Sequence, residues 1–92
     1  MKLNIKEKEE LKEFMLARKH LVWYVKNLES LSVESIIEHT LNYGSWEDVQ
    51  VLIKILGIGK MAQVFKQQVG GQRTNYHKKT KNYFQMYFKK YA

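Results

Sequence analysis

The chain has 92 residues, enough for one domain around one small hydrophobic core and too few for a deep internal cavity. It carries 16 basic and 9 acidic residues, a net charge of +7, with no cysteine and no proline; this excludes a disulfide framework and a thiolate metal site and argues against a loop-rich or all-β fold. No apolar run approaches membrane-spanning length, and the first twenty residues are too charged for a secretory signal, so the expectation is a small helical cytoplasmic domain without a membrane segment.

Asn4 and Glu7 have capping-box spacing, and Lys6 to Lys19 reads as a charged helix with Leu11, Phe14 and Met15 on one stripe that Arg18 continues. That stripe packs on the body or on a second copy of the chain, or residues 1–20 form an extension to a single helical domain over 21–92. Leu21-Val22-Trp23-Tyr24-Val25 is the densest apolar-aromatic cluster and the expected core anchor. Ser32 is a good N-cap for a helix from Val33 to Tyr43, with Val33, Ile36, Ile37, Thr40, Leu41 and Tyr43 on its apolar face and Gly44 closing it in the left-handed conformation.

Ser45, with Asp48 three residues on, caps a helix from Trp46 to Leu56 whose apolar positions cover more than half its circumference. A helix covered on several sides belongs at the centre of the fold, and Gly57 ends it. Lys60 to about Val69 reads as a shorter helix with Met61, Val64 and Phe65 inward, broken by Gly70-Gly71. Residues 72–79 form a polar basic connection. Thr80 caps a last helix from Lys81 to Tyr91, where Tyr83, Phe84, Tyr87, Phe88 and Tyr91 share one arc and Lys81, Asn82, Gln85 and Lys89 the opposite one. The fold class is therefore all-α: four or five short helices in a small orthogonal bundle or array.

Charge is distributed unevenly. Residues 1–48 hold seven bases and all nine acids, a net of −2; residues 49–92 hold nine bases and no acid. An anionic partner explains the asymmetry, either a nucleic-acid backbone or an acidic protein face, and a simple solubility bias remains the alternative. The residues expected to meet that partner are Lys60, Lys66, Arg73, Lys78, Lys79, Lys81, Gln85, Lys89 and Lys90. The aromatic arc of the last helix reads as core, whereas single-strand binding requires some of its rings exposed beside the lysines.

No catalytic constellation stands out. His20, His39 and His77 share no zinc-binding spacing, no carboxylate pair sits in an apolar run, and the serines fall at turns and caps, so no catalytic residue, metal or cofactor is expected. Gly57-Ile58-Gly59-Lys60 offers a phosphate-binding turn at a helix N-terminus, or simply a glycine-terminated helix followed by a tight turn. It is similar to the helix-hairpin-helix motif, with Ala62 one residue early, and to the turn of a helix-turn-helix over residues 46–68. In the latter reading Gln63 and Gln67, with Lys60 and Lys66, face the groove and Gln63 and Gln67 read bases. Arg73-Thr74-Asn75-Tyr76-His77 faintly resembles the Arg-polar-His signature of HEPN-type ribonucleases, which makes a small ribonuclease using Arg73 and His77 a further alternative.

From Leu21 onward the chain resembles a small uncharacterised bacterial domain family often encoded beside nucleotidyltransferase-like toxins of the AbiEii abortive-infection type. Leu21-Val22-Trp23-Tyr24-Val25, Ile36-Ile37-Glu38, Leu41-Asn42-Tyr43-Gly44-Ser45-Trp46-Glu47-Asp48, Ile55-Leu56-Gly57, Val64-Phe65 and Lys79-Thr80-Lys81-Asn82-Tyr83-Phe84 carry the resemblance. It implies an antitoxin-like accessory protein that meets a toxin-like nucleotidyltransferase with one surface and operator DNA with another, while the basic half by itself leaves DNA or RNA open. It transfers no catalytic residue. Association of two copies through the N-terminal helix is a further expectation.

Overall fold

Asn4 and Glu7 close the capping box that their spacing anticipates: the Asn4 side chain accepts from the Glu7 amide at 2.7 Å, and Glu7 Oε1 accepts from the Asn4 amide at 3.3 Å. Helix α1 follows over Ile5–Ala17. The computed structural model describes residues 3–18, 32–71 and 76–92, and these contain five helices and no strand. The apolar cluster at Leu21 to Val25 and the connection at 72–75 lie outside the described residues.

Helix α2 spans Val33–Tyr43 and α3 spans Trp46–Leu56, both with the expected boundaries, because strong local signals start them. Ser32 accepts from the Ser35 amide at 3.1 Å. Ser45 accepts from the Asp48 amide at 3.1 Å, while Asp48 Oδ2 accepts from the Ser45 amide at 3.0 Å. Gly44 departs from expectation. It is extended (φ −75°, ψ 160°), not left-handed. Glycine is needed there for space: a Cβ would lie 2.6 Å from the Thr40 carbonyl oxygen, which already accepts from the Gly44 amide.

Gly57 does adopt positive φ, at +90°. Its amide donates to Ile53 and its carbonyl accepts from Met61, so a single residue both ends α3 and opens the next helix. Helix α4 therefore spans Ile58–Val69 and begins two residues before the expected Lys60. Helix α5 spans Lys78–Tyr91 and begins three residues before the expected Lys81. Thr80 is consequently inside the helix instead of capping it, and His77 occupies the N-cap position without a side-chain cap bond. Two tertiary anchors fix this early start. Tyr76 is buried against Phe65, ring centroids 5.0 Å apart, and the His77 amide donates to Asn42 Oδ1 at 3.1 Å.

The core collects Leu11, Phe14 and Met15 from α1, Ile36, Ile37 and Leu41 from α2, Val49, Leu52 and Leu56 from α3, Met61, Val64 and Phe65 from α4, and Phe84 and Phe88 from α5. Helix α3 is central, packing on α1, α2 and α4, whereas α5 packs chiefly on α4. The α1 stripe faces this body. Arg18 extends it as expected: its guanidinium lies 4.3 Å from the Phe14 ring centroid, and Nε donates to Asp48 Oδ1 at 2.6 Å. Buried Thr40 donates its hydroxyl to the Ile36 carbonyl, and no buried side-chain polar atom among the described residues lacks a partner. The radius of gyration, 12.5 Å, is that of a well-packed chain, for which about 12 Å is expected.

Candidate functional site

At 100° per residue, the early start of α5 places Lys78, Lys79, Lys89 and Lys90 on its solvent half and Lys81 at the margin of its buried face. Lys78, Lys81 and Lys89 form one ridge with Gln85; Lys79 and Lys90 form a second on the other flank. Lys81 is half-buried and the other four are exposed. Among the described residues none of these lysines, nor Lys66, is ion-paired. The first ridge borders a groove of about 340 Å³ between α4 and α5, floored by Ala62, Phe65, Val69 and Phe88, with Lys66, Gln85 and Lys89 on its walls. Positive charge thus lines both edges of α5.

Lys60 is different. Its Nζ is 3.0 Å from Glu7 Oε2 on α1, so a front-half carboxylate neutralises it. Hydrogen bonds from Lys60 and from the Asn4 amide hold the Glu7 carboxyl below the usual carboxylate range. The Gly57-Ile58-Gly59 segment is not a two-glycine loop either: Gly57 alone makes the turn and Gly59 lies within α4. A helix-turn-helix joins its helices through three or four residues, while α3 and α4 are joined by one. Gln63 and Gln67 are exposed on α4.

The aromatic arc divides. Phe84 and Phe88 are buried, but Tyr83 is 52% exposed and Tyr91 57%, with Tyr87 between them half-buried. Trp46, at the first turn of α3, is 49% exposed and meets Tyr83 and Tyr87 edge-on, at 6.0 and 5.3 Å between centroids. Tyr83 and Tyr87 lie nearly parallel, 13° apart. The expectation of five core aromatics is corrected: α5 has one principal neighbour, so only the centre of its arc is covered. Lys90 sits 5.3 Å from the Tyr91 ring centroid, and Lys79 and Thr80 join Trp46, Tyr83 and Phe84 around an open cleft of about 260 Å³. Sequence reasoning missed Trp46 as a surface residue; its position at the first turn of an otherwise apolar helix was the available signal.

Tyr43, expected on the apolar face of α2, is exposed as well. Its hydroxyl lies 3.2 Å from His77 Nε2, and the two rings pack edge-on. His77 is therefore the N-cap residue of α5 in contact with Tyr43, while Arg73 lies outside the described residues. Tyr76, from the same string, is a core residue: its hydroxyl donates to Gln68 Oε1 at 2.5 Å, and Gln68 donates to the Glu34 carbonyl at 2.9 Å. Burial, with a contribution from Glu38, pushes the Tyr76 hydroxyl pKa far above its ordinary value, so it serves as a hydrogen-bond donor. Among the described residues no group of three or more metal-ligating side chains is gathered. No helix there is long and apolar enough to cross a membrane.

What the arrangement can do is bind. Ammonium groups without a carboxylate partner among the described residues flank flat, half-exposed rings, a combination that holds anions and aromatic faces. No protein-family model matches the chain, and comparisons with curated proteins and with solved structures find no similar one.

Proposed function

We propose that this chain is a non-enzymatic binding module of the antitoxin-like or phage-defence accessory kind, contacting a nucleic-acid backbone through α5. The observation that carries the reading is the pair of lysine ridges on α5, without an ion-pair partner among the described residues and in a half-chain with no acidic residue. A polyanion neutralised by such ridges releases counterions, so its affinity falls steeply with salt. The resemblance to domains encoded beside nucleotidyltransferase-like toxins supports a toxin-like protein partner on the acidic front half, in a bacterial cytoplasm.

Replacing Lys78, Lys79, Lys81 and Lys89 together by glutamate is expected to abolish retention on heparin and duplex DNA, with the helical circular-dichroism spectrum preserved. Unchanged retention by the folded variant overturns the reading.

A further inference from the structure

The lysines account for attraction to phosphate; they leave unexplained why three rings, Trp46, Tyr83 and Tyr91, stand exposed among them with Tyr87 half-buried in their midst. Trp46, Tyr83, Tyr87 and Tyr91 form a continuous aromatic edge from the start of α3 to the end of α5. The three tyrosines recur every four residues, so successive rings advance about 6 Å along the helix axis. Lys79 and Lys90 project on the same flank as Tyr83, one turn before it and two turns after it.

We infer that this edge is a stacking platform for single-stranded nucleic acid, with bases laid on Trp46, Tyr83 and Tyr91 and the backbone held by Lys79 and Lys90. The inference rests on the polyanion reading above and narrows it to one strand state. In a duplex the base faces are stacked on one another and hidden; a single strand presents them, and aromatic side chains accept any base because every base has a π-face. Exposed rings therefore add affinity only for unpaired bases. A second copy of the chain is a poor occupant, since a two-fold contact through this edge sets Lys79 and Lys90 against their own equivalents. The cleft bounded by Trp46, Tyr83, Lys79 and Thr80 places an ammonium group and a hydroxyl beside the first ring pair, where a nucleotide offers phosphate and base together.

The test uses three fluorescent probes at two salt concentrations: a 15-residue oligothymidylate, an abasic strand of equal length and charge, and a 15-base-pair duplex. The full chain is expected to bind oligothymidylate at least tenfold more tightly than the abasic strand. Trp46→Ala and Tyr83→Ala should each weaken oligothymidylate binding by roughly 5- to 150-fold while leaving abasic-strand affinity and the salt slope unchanged. Tyr83→Phe, which keeps the ring, should retain the preference. Equal affinity for oligothymidylate and the abasic strand overturns the stacking platform while leaving the phosphate reading intact. Binding to none of the probes overturns both.

Discussion

At Gly57 the backbone sits at φ +90°, where an L side chain is strained even though nothing within 4 Å would crowd its Cβ. Gly59 has equally open surroundings but lies in the first turn of α4 at ordinary helical angles. Gly57→Ala is therefore expected to destabilise by about 1–3 kcal/mol. Gly59→Ala should stabilise by about 0.5–1 kcal/mol, because glycine is a poor helix former. Urea unfolding of both variants checks the contrast, and equal effects would mean the turn is built differently. Asp48 has the other residue-scale signature. Burial acts to raise its pKa, but hydrogen bonds from Arg18 and the Ser45 amide outweigh burial and hold it below the usual range. Its folded pKa is depressed, so its contribution is complete above about pH 4, near the unfolded value, and is lost as pH falls through the folded one. The stability gap between the native chain and Asp48→Asn, measured by thermal unfolding, should thus be widest near neutrality and close below pH 4.

At the scale of elements, α1 is integral to the core. Phe14 and Met15 are almost fully buried, whereas Leu16 beside them is about half exposed. Phe14→Ala should cost about 3–5 kcal/mol, a large share of the roughly 5–14 kcal/mol that holds a chain of this size. Leu16→Ala should move the melting temperature little. A melting curve insensitive to Phe14→Ala would make α1 an appendage. Helices α2 and α3 were legible in the sequence because Ser32 and Ser45 start them through bonds made within three residues. The start of α5 was not, because Asn42 and Phe65 set it from 35 and 11 positions away. The division of its aromatic arc was hidden for a related reason. Periodicity shows which residues share a side of a helix, but the number of neighbouring helices decides how much of that side is covered.

Across the whole molecule, one ion pair among the described residues ties the acidic front half to the basic back half. Among the described residues, Glu7 of α1 meets Lys60 and Asp48 of α3 meets Arg18, and no carboxylate meets a lysine of α5. The sequence showed the nine unopposed bases of the back half but could not show that Glu7 reaches across 53 positions to Lys60. Total charge therefore overstates what a polyanion can use: Lys60 must give up a carboxylate before it can release a counterion from DNA, whereas Lys79 and Lys90 have none to give up among the described residues. Plots of log affinity against log salt should register the difference. Lys79→Ala and Lys90→Ala should each lower the slope by about 0.7–1. Lys60→Ala should leave the slope unchanged and slightly weaken the fold, since its partner is on α1. If Lys60→Ala flattens the slope as much as Lys79→Ala does, the Glu7 pair opens on binding and the contact surface extends from α5 to the junction of α1 and α4.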